Sequence, residues 1–388
     1  MHVEGRARQA GLLFVVPNSP RPARKVGQNA WVSQWQEPIT RMLARLRETS
    51  AQVGDSYPHW ADSSSGVWVT TPDGDWTGGY FTGMCWLAHR ITGDSGFRSW
   101  ASSHTARLLS RSEDDSVFKG FPFYYGAAAG WLVCADPDAR DVALAGARGL
   151  ARMFRPELGL IPLGTNAEEG SSIGSAETSI DSLEAAPFML WAARESGDVE
   201  VEQVGAAHAR RVIELHLRSD GSFVQSSSLD PESGRLRRHY THKGYSDSST
   251  WGRAQAWGTL FSLRAGHREA AVRGAEWWLA HVPADRVSFW DFDDPAIPNT
   301  EKDATATAIV GNALLKLGGP FREAGEATIS ALVEGYLSPR GGLTRCCFNK
   351  RPDSRPEDAA SSCEFVVGDY YLFESLLVLA GEIPADLL

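Results

Sequence analysis

Six times along this chain an apolar run of helical period ends in a short polar or Gly-containing turn. The six ends are CWLAHRITGD (85–94), GWLVCADPD (130–138), LWAARESGD (190–198), LFSLRAGHRE (260–269), LLKLGGP (314–320) and LLVLAGE (376–382). Gly, or Gly followed by Asp, after such a run is the expected stop of a helix. A second amphipathic stretch follows each of the first five ends, over 96–111, 139–154, 199–217, 269–281 and 320–336. The early stretch 37–50 is the expected partner of the sixth, closing a ring from the N-terminal side. The pattern predicts about twelve helices in six hairpins. Strand signals are few: 66–71 (GVWVTT) and 221–225 (GSFVQ) alternate briefly and read as small hairpins on loops. The expected fold class is all-α, an (α/α)6 toroid in which inner helices face a central cleft. An open solenoid of hairpins is the alternative, and the uneven spacing of the repeats disfavours it. The long connections 62–79, 157–178, 219–250, 283–303 and 338–368 are rich in aromatic and charged residues, as a binding mouth would be.

Composition narrows the partners. A formal charge of −10 over 388 residues argues against nucleic acid and anionic membrane. No run of about 18 apolar residues is present, so no transmembrane helix is expected. Residues 6–16 faintly imitate a signal peptide, but PNSPRPARK follows without a small-x-small cleavage site. Residues 1–30 read as a loose tail and 31–388 as one domain. The five cysteines, Cys85, Cys134, Cys346, Cys347 and Cys363, are irregularly spaced and form neither a disulfide framework nor a zinc pattern. A reducing, cytoplasmic setting fits them. Fourteen Trp could stack on sugar faces, but indoles also fill helical cores, and composition alone favours the core.

Five stretches, in order, resemble the family of unsaturated glucuronyl hydrolases and the related unsaturated rhamnogalacturonyl hydrolases. They are DWTGGYFTGMCWLAHRITGD (75–94), SIDSLEAAPFMLWAARESGD (179–198), THKGYSDSSTWGRAQAWG (241–258), FWDFDDPAIPNTEKDATATAI (289–309) and GDYYLFESLLVL (368–379). The resemblance implies a cofactor-independent (α/α)6 toroid with no metal. It also implies an enzyme that hydrates the C4=C5 double bond of an unsaturated uronic acid, after which the hemiketal rearranges and the glycosidic bond opens.

Asp181 is the leading candidate for chemistry. It shares an expected helical face with Ala185, Phe188 and Ala192. A carboxyl at the first turn of such a face stands between burial, which favours its neutral form, and the helix N-terminus, which favours the ion. Pattern alone favours a surface acid there; the resemblance places Asp181 on the family's acid/base aspartate. The family's second aspartate is missing. VFKGF (117–121) puts Val117 and Phe118 at the family's His and Asp positions. Asp114 and Asp115 are close enough to offer a substitute carboxylate only if the loop is rearranged, and solvated loop charges are the favoured reading, with Asp115 the possible second carboxylate. Lys243 stands for a family Gln in THKGYSD, and Gln225 for a family His in GSFVQ. These four differences together suggest a repurposed pocket, and a pocket Lys favours an anionic group; an exposed loop Lys is the equal alternative.

The resemblance also makes Trp76, Arg253 and Trp257 substrate-binding positions, with Phe118, Gln225 and Lys243 beside them. Arg253 and Trp257, at i and i+4, could equally form an intrahelical cation–π pair. His242 and Tyr245 are expected to shape their loop. Asp291, Asp293 and Asp294 give a weak metal spacing and read better as a hydrogen-bonded rim loop. Asp303 reads as a helix N-terminal acid or cap. The expected partner is a small, anionic carbohydrate or sugar-containing molecule, and the protein a monomer or homodimer. Two alternatives stand beside the hydrolase: a family member repurposed for a sugar-containing natural product, and a non-catalytic sugar-binding toroid.

Overall fold

A computed structural model describes residues 34–167, 176–350 and 360–388. The expected loose tail, 1–30, lies outside the described residues. Among the described residues twelve α-helices alternate between an inner and an outer ring. The inner ring holds α2 (Gly78–Thr92), α4 (Ala129–Cys134), α6 (Ala185–Ser196), α8 (Gly252–Arg264), α10 (Ala304–Leu317) and α12 (Val366–Leu379). A π-helical stretch, Pro122–Ala128, runs directly into α4. Their outer partners are α3 (Ser95–Arg107), α5 (Pro137–Ala151), α7 (Val199–His216), α9 (Arg268–His281), α11 (Arg322–Gly335) and α1 (Gln36–Val53). The ring closes where α12 packs against α1, α2 and α10. This is the expected (α/α)6 toroid.

Burial separates the rings. Residues 366–378 of α12 are all buried, and so is every residue of α10 except Lys316. The outer α1 buries one stripe, Ile39, Met42, Leu46 and Val53. A helix apolar all round belongs inside; a striped one covers it. The Gly-Asp punctuation has a local cause. Gly93 and Gly197 end α2 and α6 in the left-handed region, at φ 72° and 73°. The next residues, Asp94 and Asp198, cap α3 and α7 by accepting backbone N–H bonds from Gly96 at 2.9 Å and Glu200 at 3.1 Å. Two residues therefore stop one helix and start the next.

Two three-stranded antiparallel sheets sit on the connections. One has the order β2-β1-β6, from β1 (Tyr57–Ala61), β2 (Trp68–Thr71) and β6 (Glu364–Phe365). The other has the order β3-β4-β5, from β3 (Glu177–Ser179), β4 (Ser226–Leu229) and β5 (Leu236–Tyr240). The signal at 66–71 corresponds to β2. The one at 221–225 is corrected: Phe223 makes only a single bridge, to Leu217, and the strand starts at Ser226. The Phe223 ring turns into the wall, where added methyl groups at Gly258 and Gly274 would lie 2.4 and 2.9 Å from it.

Inner helices approach each other closely through glycine. A methyl group at Gly79 would sit 2.5 Å from the Pro122 Cα and 3.0 Å from the carbonyl oxygens of Phe121 and Pro122, all backbone atoms. Gly79→Ala should cost about 1–3 kcal/mol. At Gly335 nothing lies within 4 Å, and Gly335→Ala should add roughly 0.4–1 kcal/mol. Urea midpoints that move in the same direction for both variants would contradict this packing.

Candidate active site

A cleft opens where the N-terminal ends of α2, α6 and α8 converge. Asp181, Gln225, Lys243 and Arg253 line it, with Trp76, Phe118 and Trp257. Seven residues singled out in the sequence are thus brought together, although they span 182 positions of chain, 76 to 257. The second sheet does much of this: Asp181 follows β3 by two residues, Gln225 precedes β4 and Lys243 follows β5. The Ile180 N–H donates to the Gln225 carbonyl at 2.8 Å, and the Lys243 N–H donates to Gln225 Oε1 at 2.8 Å. Three loops are tied into one wall.

Asp181 is half-buried and lies on a 3-10 turn, Ile180–Glu184, that precedes α6. The helix expected to carry it with Ala185, Phe188 and Ala192 starts only at Ala185. The tighter turn lies ahead of the regular helix, at the cleft. Phe118 lines the cleft, nearly buried, with its ring 6.2 Å from that of Phe121.

Arg253 and Trp257 do not form the intrahelical pair. The Arg253 guanidinium lies 4.4 Å over Trp251, and Nη1 donates to Asp303 Oδ2 at 2.8 Å. It also donates to the carbonyls of Cys347 and Phe348. Trp257 instead stacks on Phe261, centroids 4.9 Å apart and planes 8° apart. Asp303 is fully buried and caps α10 through Thr305 N at 3.0 Å. Burial raises its carboxyl above the usual range, against the opposing Arg253 charge.

Asp115 is not in the cleft. Its Oδ2 accepts from the Thr165 N–H at 2.9 Å and hydroxyl at 2.6 Å, which pulls its pKa below the usual range. It pins a loop outside the residues that line the cleft. Asp114 accepts from Arg111 Nε at 2.9 Å.

The acidic run is a rim brace. Asp291 Oδ2 accepts from the Tyr245 N–H at 2.8 Å and the Ser249 hydroxyl at 2.7 Å. Asp293 accepts from the Thr250 N–H at 2.7 Å, and Asp294 from Trp290 Nε1 and the Thr300 hydroxyl, each at 2.6 Å. Asp291 and Asp293 hold the loop that carries Lys243, and His242 adds a 2.9 Å bond from its ring to Ser226 Oγ. Among the described residues no group of three or more His, Cys, Asp or Glu is placed to hold a metal ion.

No protein-family model matches the chain. It is 33% identical over 371 residues to an unsaturated glucuronyl hydrolase of Bacillus sp. (strain GL1), covering 89% of this chain and 96% of that enzyme. The chain belongs to the unsaturated glucuronyl hydrolase family. An unsaturated chondroitin disaccharide hydrolase of Streptococcus pyogenes is 27% identical over 331 residues, covering 78% of this chain and 80% of the relative. The crystal structure of the unsaturated glucuronyl hydrolase of Bacillus sp. GL1, responsible for the degradation of glycosaminoglycan, superposes with a TM-score of 0.82. That comparison has 32% identity and covers 89% of this chain and 97% of that one.

Within this glucuronyl hydrolase fold the cleft has members that sequence reasoning missed. Phe121 and Trp251 line it. Phe121 stands in the VFKGF segment already singled out, and Trp251 opens the WGRAQAWG helix, so both were visible as aromatics within recognised motifs. His59 is buried beside Phe348 and Phe365, with ring centroids 4.9 and 5.8 Å away. Burial, then the charge of Lys243, lowers its pKa to about 4. It remains neutral at physiological pH.

Glu184 had no sequence signal beyond its place three residues after Asp181. It is fully buried, and neither carboxylate oxygen has a hydrogen-bond partner among the described residues. A methyl group at Gly120 would lie 2.3 Å from Glu184 Oε2. Burial raises its pKa from 4.5 to about 8, against the opposing charge of Arg264. A raised folded-state pKa means the folded protein favours the protonated acid; that contribution is complete below pH 4.5 and is lost as pH climbs to about 8. Wild type should therefore lose stability relative to Glu184→Gln across this window, and a constant difference in urea midpoints would count against it. Removing the partner of Arg253 should be costlier. Asp303→Ala, which strands a buried guanidinium, is expected to lower stability by about 3–5 kcal/mol in equilibrium unfolding, and a loss below 1 kcal/mol would show that the pair is not what holds the mouth.

Proposed function

We propose that this chain hydrates the C4=C5 double bond of an unsaturated uronic acid at the end of a small oligosaccharide, with Asp181 as general acid and base. The observation that carries this reading is Asp181 lining an aromatic cleft beside Lys243, in a chain whose relatives are named unsaturated glucuronyl and unsaturated chondroitin disaccharide hydrolases. The protonated Asp181 carboxyl gives its proton to C4, leaving positive charge shared between C5 and the ring oxygen. Water adds to C5, and its proton returns to the Asp181 carboxylate. The hemiketal then rearranges and the glycosidic bond opens, so one water is consumed for each bond lost.

The other residues take roles suited to their chemistry. Lys243 pairs with the uronate carboxylate. Trp76 and Trp257 offer aromatic faces to the C–H faces of the sugar. Arg253 fixes the mouth from below, since Asp303 and two carbonyls take up three of its five N–H donors. The five cysteines are free thiols, which supports a cytoplasmic setting. Among the described residues no helix is long and apolar enough to cross a membrane.

Phe118 favours a second reading within the same chemistry. It lines the cleft at the position where the family resemblance expects an aspartate. A family member repurposed toward a sugar-containing natural product would tolerate that change.

Hydration removes the near-ultraviolet absorbance of an unsaturated uronate. Wild type should bleach an unsaturated uronyl disaccharide, and Asp181→Asn should lower kcat by roughly 10²–10⁴-fold while its circular dichroism is unchanged. Equal rates for the two proteins would remove Asp181 from the mechanism.

A further inference from the structure

The cleft is chemically one-sided. Phe121 lies at the centre of an aromatic surface, 5.5 Å from Trp76, 5.7 Å from Trp257 and 6.2 Å from Phe118 between ring centroids. The polar members, Asp181, Gln225 and Lys243, come together from the sheet β3-β4-β5 and its connections. Gln225 Oε1 already accepts from Lys243 N, and beside these residues Arg253 is engaged by Asp303 and two carbonyls. At Phe118 and Phe121 the wall offers a ligand neither a donor nor an acceptor.

A sugar ring whose C–H face lies on Trp76 would turn one edge to Phe118 and Phe121. A free hydroxyl on this edge would leave water and find no partner, and an unmade hydrogen bond to a desolvated hydroxyl is penalised. A hydrogen or a methyl group would keep contact with the rings and lose nothing. We infer that the cleft selects an unsaturated uronate whose ring edge facing Phe118 and Phe121 carries no free hydroxyl, being deoxygenated or O-methylated there. This rests on the reading of Asp181 and Lys243 given above and names the substrate class within it. Apolar pockets discriminate against an added hydroxyl only modestly, so the preference is about 10- to 100-fold.

The test uses matched unsaturated uronyl glycosides, one with free ring hydroxyls and others deoxygenated or O-methylated at C2 or at C3. Two ratios are measured: kcat/KM from the loss of near-ultraviolet absorbance, and Kd from quenching of Trp fluorescence in Asp181→Asn. The expected result is a 10-fold or greater preference for one of the deoxygenated or methylated ligands. Phe118→Leu should keep that preference, and Phe118→Asn should reduce it to below about twofold. Equal or better use of the fully hydroxylated ligand, or a preference untouched by Phe118→Asn, overturns the inference. Bleaching without preference sinks this inference and leaves the hydration reading standing. Preferential binding without bleaching does the reverse.

Discussion

The guanidinium of Arg253 is surrounded by groups from three parts of the chain. Asp303 meets it from the N-terminus of α10, the carbonyls of Cys347 and Phe348 from a long connection, and the Trp251 ring from the start of its own helix. Both charged side chains are almost wholly buried, at 2% and 0% exposure. A buried pair of this kind adds little net stability over an apolar replacement, but either charge alone would be very costly. Its physical effect is therefore selective. Any arrangement that separates α8, α10 and the 346–348 segment strands a charge, so only one relative placement of these elements is tolerated. The floor of the mouth, and with it Trp251 and Trp257, inherits that placement.

Beneath the mouth the barrel axis changes character in layers. The aromatic surface around Phe121 passes down α8 from Trp257 through the stacked Phe261. It then gives way to Arg264, whose Nη1 donates to the Tyr125 hydroxyl at 2.7 Å and whose charge lies 4.0 Å over the Tyr124 ring. Tyr125 in turn shares a hydrogen bond with Tyr371 on α12. Below, Lys316 on α10 meets Glu374 on α12 at 2.6 Å. The axis of the toroid is thus polar at depth and apolar at the cleft. Part of that polarity is paired, Arg264 with Tyr125 and Lys316 with Glu374, which favours one packing of inner helices that have little helix-period amphipathicity.

The hairpin count and the Gly-Asp stops were legible because each has a local cause: a C-terminal glycine in the left-handed region and an aspartate cap one residue on, as at Gly93 and Asp94. The grouping of Trp76, Asp181 and Trp257 in one cleft was legible because they stand in stretches that resemble the family's. What escaped were properties set by partners distant in sequence. The strand at Ser226 depends on pairing with residues near 177 and 240, which no local alternation encodes. The start of α6 at Ala185 rather than at Asp181 depends on the bond from Ile180 to Gln225. Arg253 turned from Trp257 to Trp251 because Asp303, fifty residues away, outweighs a neighbouring ring. Asp115 read as a solvated loop charge because its captor, Thr165, is just as remote.

Two carboxyl groups on one turn differ in what they can reach. Residues three apart on a 3-10 turn eclipse one another, so Asp181 and Glu184 rise from the same face of Ile180–Glu184. Glu184 has the strongly raised pKa, a property often taken as a mark of a working acid. Yet it is sealed against Gly120 and Arg264, with both oxygens out of reach of a ligand or solvent. A group that must give a proton to a substrate and regain one from water in each turnover needs access to both. Asp181 has that access because it lines the cleft and is only half-buried. Glu184 is better understood as a neutral acid filling the space below, where its protonated form costs the fold least. Of the two carboxyls, only Asp181 stands where the proposed proton transfer could reach a ligand.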